Sequence, residues 1–313
     1  TWTPILQILV FSKDSTGKTV EGINLSMTDT SDLYQHPWQG RVVDEQWQFL
    51  VEIIKQRDPQ TIGINIGSIN WAAGGLTHNL YLKLLEVLPD KYQQRLVSAE
   101  PASNHWLMTL TDEELEIMEE AALLSKRVIS ECYSPGTLKP GITTTTDLEW
   151  HYWQQLVDHG VQPCFKPYFN LVRSQAGAAI HPIEDKVIRP GDMIHCDVGL
   201  RYMRLCSDHQ EWAYILRACE SDAPQGLKNL FTQSDRLQNV FMQSFEHGLT
   251  GNQLLSRILS RAGEEGIPNP RVYSHSLGYY LHEPGPLIGL PWEQVAVPGR
   301  GDVALGHNSC FTM

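Results

Sequence analysis

Two aspartates, Asp197 and Asp208, stand eleven positions apart in the stretch Gly191 to Leu216, GDMIHCDVGLRYMRLCSDHQEWAYIL, each where an apolar strand would carry a core residue. With a period of two, Met193, His195 and Asp197 share one strand face, and Ile194, Cys196 and Val198 share the other. In the second run Asp208 lines up with Gln210, Trp212 and Tyr214. Antiparallel pairing of the two runs, through a short connection carrying Gly199, would bring both carboxylates into one partly buried spot. Desolvation and like-charge repulsion each raise a carboxylate pKa, so such a pair calls for a divalent cation. The competing reading has one aspartate capping the turn and the other solvated at a strand end.

Two histidines tip the balance. His275 and His282 lie seven positions apart in YSHSLGYYLHEPGP, a segment rich in glycine and aromatic residues. A lone histidine is more often a satisfied core residue than a ligand. The order Asp197, Asp208, His275, His282, however, resembles the pita-bread metallopeptidase family of methionine aminopeptidase, aminopeptidase P, prolidase and creatinase. The family strand G-D-hydrophobic-hydrophobic-x-hydrophobic-D-hydrophobic-G matches at Asp197, and Asp208 follows at the family's spacing. The signature S-H-x-L-G-x-x-x-H-E of the proline-specific members matches Ser274 to Glu283.

The resemblance implies two divalent metal ions, with Asp197, Asp208 and His275 as ligands and His282 on the substrate side. A second substrate-side histidine is matched more loosely by His181 in AAIHPIEDKVIRPGD, where the bland alternative is a loop histidine beside Pro182. Mixed oxygen and imidazole donors suit Mn, Zn, Co or Fe, and a carboxylate-rich set leans toward manganese. Such a centre polarises the scissile carbonyl and activates water, while His181 and His282 would donate to the developing oxyanion. The implied reaction is hydrolysis of an N-terminal peptide bond in a peptide or dipeptide, as in Xaa-Pro aminopeptidase or prolidase. A metal-independent C–N hydrolase of the creatinase kind and a non-catalytic binding protein are the rivals. Relatives are commonly dimers, so a homodimer is expected.

Some positions depart from the family pattern. Two further glutamate ligands are expected, the first where the strand Asn308 to Met313 stops, which reads as a chain cut short in preference to a degenerate member with a crippled metal site. Arg271 and Glu211 stand where the family often has other residues, and both bear on proline specificity. His195 shares a face with Asp197 and reads either as a support for a ligand carboxylate or, preferably, as a packed histidine. Glu283 looks catalytic in isolation, but the family's ligand pattern does not use that position. No G-x-S-x-G or H-E-x-x-H is present.

The elements that must position these residues form an α+β arrangement, with a curved antiparallel sheet backed by helices as the resemblance implies. Thr111 with Glu114, Thr146 with Glu149 and Thr250 with Gln253 read as capping boxes opening three helices, and Leu227 to Phe245 reads as a fourth. Strands are expected near Gln175, Met193, Ser207 and Val272. Ahead of this catalytic domain, residues 109–313, lies a smaller α/β segment, residues 1–108, that resembles the N-terminal domain of creatinase, prolidase and aminopeptidase P. It runs strand, turn, strand from Ile5 to Leu25, then a helix at Asp44 to Gln56, the strand TIGINI, the loop GSINWAAGG, a helix at Leu76 to Leu88 and a strand at Arg95 to Ser98. The opening Thr1, directly before ILQILVF, suggests that residues precede it.

Composition excludes more than it selects. With 313 residues, 42% hydrophobic and 19% charged, the chain can bury a substantial core. A net charge of -12 without a basic stripe argues against nucleic acid and anionic membranes as partners. Six cysteines without a C-x-x-C pair read as reduced thiols, and with no signal peptide visible they point to the cytoplasm.

Overall fold

A computed structural model describes residues 6–13, 16–26, 33–38, 40, 43–69 and 74–313. The chain divides into two compact units, Thr1–Gly67 with Gly74–Glu100, and Ser68–Ala73 with Pro101–Met313. Ile5, and Asn70 to Ala73 of the glycine-containing loop, lie outside the described residues.

In the first unit β1 (Leu9–Lys13) and β2 (Val20–Asn24) form an antiparallel hairpin. Helix α1 (Val43–Arg57) carries Asp44 and Glu45 in its first turn and Lys55 and Arg57 in its last, matching the helix dipole at both ends. It buries Trp47, Leu50, Val51 and Ile54. Strand β3 (Ile62–Ile64) leads through α2 (His78–Val87), capped by Thr77, and the short α3 (Asp90–Gln93) to β4 (Leu96–Ser98). β4 runs parallel to β3, the pairing that a helical crossover permits. Ile23, Leu25, Trp38, Trp47, Leu84 and Tyr92 belong to this unit's core. Helix α4 (Glu100–Met108) runs from the break between the units to the boundary expected from sequence.

After α4 the second unit continues with α5 (Asp112–Cys132), whose Thr111 hydroxyl accepts from Glu114 N while the Glu114 carboxylate accepts from Thr111 N. Then come α6 (Thr145–Asp158), β5 (Gln162–Pro163), β6 (Tyr168–Val172), α7 (Gln175–Ile180), β7 (Met193–Val198), β8 (Leu200–Tyr202), β9 (Leu205–Cys206) and β10 (His209–Tyr214). Helices α8 (Gln225–Met242) and α9 (Gly251–Glu264) precede the short pair β11 (Ser276–Leu277) and β12 (Cys310–Phe311).

The central sheet has the order β10-β7-β6 and is antiparallel throughout. Along β7 burial alternates: Ile194, Cys196 and Val198 are buried, while Met193, His195 and Asp197 are half-buried. The buried face packs on Val128, Ile129 and Cys132 of α5 and Leu148, Tyr152 and Leu156 of α6. One face is thus committed to the helices, and the other is left for polar side chains.

Five local features differ from the sequence expectation. The connection between the aspartate strands is a hairpin, β8 and β9, which joins β5 in a separate sheet. Gly199 starts it because a Cβ there would strike the Ser207 carbonyl oxygen and the Phe165 ring. The stretch after Gln175 is a helix, since Ser174 caps it and QAGAAI has no strand partner. Helix α6 starts two residues early, on a box of Thr144 with Asp147, because a run of four threonines offers several equivalent caps. On α8 only Val240 and Phe241 are buried, and Leu230 and Phe231 remain exposed. Near Val272 the only regular pairing among the described residues is a single bridge, Ser274 to Ile288, with β11 two residues on.

Candidate metal centre

β7 and β10 place the two aspartates on the open face. Their register pairs Asp197 with Gln210 and His195 with Trp212. Asp208, one residue before β10, extends the same face as Gln210 by the strand period. The two carboxylates act on one another: burial chiefly, and then the Asp208 charge, push the Asp197 carboxyl above its usual range.

The histidines reach the same place through a folded-back loop. Ser276 organises it: its hydroxyl donates to the Glu283 carbonyl and accepts from Gly285 N, while its own carbonyl accepts from Glu283 N. Glu283 is fully buried, with Oε1 accepting from Tyr280 N at 2.9 Å and Oε2 without a partner. Burial pushes its carboxyl up to about 7. It locks the loop, and Gly278 is needed because a Cβ there would crowd its carboxylate. The loop is docked on α5 by a hydrogen bond from the Tyr279 hydroxyl to Glu114.

As a result the His282 ring lies over that of His275, centroids 4.0 Å apart. Asp208, His275 and His282 each offer one ligand-capable atom within 4.8 Å of the others. His275 is buried and braced by β12, donating its backbone N–H to Thr312 Oγ1 and accepting from Thr312 N. Its Nδ1 lies 3.2 Å from the Ser276 carbonyl oxygen, which can only accept, so Nδ1 holds the proton. Nε2 is thereby turned on Asp208, 3.5 Å from its Oδ2. An imidazole nitrogen and a carboxylate oxygen turned on one another are donors that a divalent ion fits. Burial first, and then the neighbouring His275, push the His282 pKa below the usual histidine range.

The sequence-derived residues are not all in this group. Asp197 lies beside it, coupled by charge to Asp208. His181 caps the C-terminal end of α7 with its side chain exposed, and its carbonyl accepts from Arg173. Two residues that sequence reasoning missed face the site. Tyr273 packs its ring 5.6 Å from that of His275. Arg300, half-buried and with an unpartnered Nε, has its own pKa lowered by burial, and its charge bears on both His282 and Tyr273. Neither carries a sequence signal, since Arg300 sits in a GRGD turn that reads as loop. Asp208 also walls a cavity of about 320 Å³ bordered by Leu115, Met118, Leu277 and Phe311, whose apolar lining strengthens electrostatics on that side.

The sequence profile of metallopeptidase family M24 matches residues 116–313. The chain belongs to this family. Solved M24-type structures share the pita-bread fold. The Xaa-Pro dipeptidase from Bacillus anthracis superposes with a TM-score of 0.64 at 18% identity, over 99% of this chain and 79% of that one. For the X-Pro aminopeptidase from Thermotoga maritima the TM-score is 0.61 at 18% identity, over 94% and 77%. A zinc-substituted aminopeptidase P from E. coli, in complex with product, gives 0.56 at 14% identity, over 93% and 72%. No curated protein matches the chain at a significant level. The M24 chain is therefore a metallopeptidase, a hydrolase of a divalent-metal-dependent family, and no helix among its described residues is long and apolar enough to cross a membrane.

Proposed function

We propose that this M24 chain is an exopeptidase of the Xaa-Pro aminopeptidase or prolidase type, releasing an N-terminal residue from a peptide or splitting a dipeptide. The observation that carries the reading is His275 Nε2 facing Asp208 Oδ2 at 3.5 Å, with His282 alongside and one ligand-capable atom of each within 4.8 Å of the others. Asp208 and His275 would hold the metal, and Asp197 is the carboxylate that would extend the set toward a second ion. A divalent cation, when bound, supplies Lewis acidity toward the scissile carbonyl and the attacking water. His282, exposed beside His275, is suited to donate a hydrogen bond to the oxyanion. Arg300 supports a short substrate: a half-buried guanidinium near His282, incompletely paired, can meet a dipeptide's terminal carboxylate. For His181 the role remains that proposed from sequence, a substrate-side donor carried on the α7 loop.

With His282 on the substrate side, the donor set of Asp197, Asp208 and His275 is carboxylate-rich and leans toward manganese, with zinc, cobalt or iron as alternatives. All six cysteines are free thiols, in keeping with a reducing cytoplasmic setting. As for the relatives, a homodimer is the proposed assembly.

The test is an assay of the full chain loaded separately with Mn²⁺, Zn²⁺, Co²⁺ and Fe²⁺ against Xaa-Pro dipeptides, Xaa-Pro-Yaa tripeptides and non-proline controls. Metal-dependent cleavage confined to Xaa-Pro bonds is expected, with dipeptides preferred. Equal cleavage of the controls would remove proline specificity, and no cleavage with any metal would remove the exopeptidase reading.

A further inference from the structure

The open face of the sheet carries a chain of hydrogen bonds running into Asp197. Gln210 Nε2 donates to Asp197 Oδ2 at 3.2 Å. A carboxylate only accepts, so this contact fixes which way the Gln210 amide points. Its Oε1 then faces His195 Nε2 at 3.1 Å, and because an amide oxygen also only accepts, Nε2 of His195 carries the hydrogen. The His195 ring rests on Trp212, centroids 4.6 Å apart. The strand register produces this arrangement, since it sets Gln210 opposite Asp197 and Trp212 opposite His195.

We propose that Gln210 is a positioning residue for the metal centre: it occupies Asp197 Oδ2, fixes the rotation of that carboxylate, and leaves Oδ1 as the oxygen offered to a cation. No hydrogen bond engages Oδ1 among the described residues. His195, steadied by Trp212, acts through Gln210 by holding the amide in its donating orientation. Gln210 is exposed, so its side chain is not there to fill a core. Without it, Asp197 would rotate about its side-chain bonds, and the entropy of ordering it would fall on metal binding. The inference rests on the metal-centre reading above.

The experiment measures binding of Co²⁺ alone to the full chain, by chelator competition and by the visible absorption of bound cobalt, in wild type, Gln210→Leu, His195→Phe, the double variant, and Asp208→Asn. Gln210→Leu shortens the side chain by one atom and removes the donor. It should weaken Co²⁺ binding about 10- to 100-fold and alter the cobalt spectrum, with the melting temperature of the metal-free protein unchanged. His195→Phe should weaken binding less, and the double variant should bind no worse than Gln210→Leu, because His195 acts only through Gln210. Wild-type affinity and spectrum in Gln210→Leu, with binding lost in Asp208→Asn, would overturn the positioning role while sparing the centre. Wild-type affinity in Asp208→Asn would instead displace the centre itself, and the proposal with it.

Discussion

His275 shows how neighbours decide what an imidazole can do. The Ser276 carbonyl accepts a hydrogen bond from Nδ1–H, and Nε2 is turned on Asp208. Removing it should therefore remove the metal, whereas removing His282 should spare the metal and cost a transition-state donor. In equilibrium metal analysis His275→Ala is expected to come out empty. His282→Ala should stay loaded and lose roughly 10²–10³ in kcat. Equal metal loss in both would make His282 a ligand instead. Glu283 gives a pH test. Its folded pKa, about 7, lies above the ordinary glutamate value, so the fold favours its protonated form. That stability is fully present below about pH 4.5 and is lost as pH rises to about 7, with a slope of up to ~1.4 kcal/mol per pH unit. Denaturant titrations of metal-free protein should show this slope in wild type and not in Glu283→Gln. At this scale the aspartates were legible, because period-two alternation fixes a strand face whatever the partner. Arg300, Tyr273 and the bracing Thr312 were not, because loops bring them in across distances that no local pattern encodes.

Elements fix where those residues can stand, and one ion pair matters more than its surroundings suggest. Arg173, just past β6, has its guanidinium nearly buried and forks onto Asp192 with Nε–Oδ1 at 2.8 Å and Nη2–Oδ2 at 2.7 Å. It also donates to the carbonyls of His181, Pro182 and Val187, tying the α7 loop to the start of β7. Arg173→Met should cost about 3–5 kcal/mol in urea unfolding, since it strands the buried Asp192 charge, and should expose the 175–187 segment to limited proteolysis. A loss below about 1 kcal/mol would mean the clamp is dispensable. The boxes at Thr111 and Thr250 could be read from sequence because a threonine three residues before Glu or Gln satisfies helix ends by chemistry alone. The α6 start slipped because four consecutive threonines compete. QAGAAI was mistaken for strand because a short alanine-rich run has no period to read, and the β8–β9 hairpin was missed because two- and three-residue strands lie below what alternation resolves.

At the scale of the whole molecule the fold class was visible in the alternation of elements and in the family signature, and the M24 match and shared fold bear it out. A folded-state metal site links binding to stability: at a hundredfold excess over Kd a divalent ion should add about 2.7 kcal/mol. Thermal scans with and without Co²⁺ should show a clear rise in Tm for wild type and none for Asp208→Asn. An equal rise in both would place the ion elsewhere. The bracing of His275 by Thr312 also has a consequence for biosynthesis. The ribosome delivers Asp208 about a hundred residues before Thr312, roughly 5–20 s earlier at ordinary elongation rates. Until then His275 has nothing to pin its backbone, and Leu110 and Asp112 lack the Asn308 contacts that bind the two ends of this segment together. The brace on His275 thus forms only about a hundred residues after Asp208 has been synthesised, so the carboxylates of the site are in place before the histidine is held.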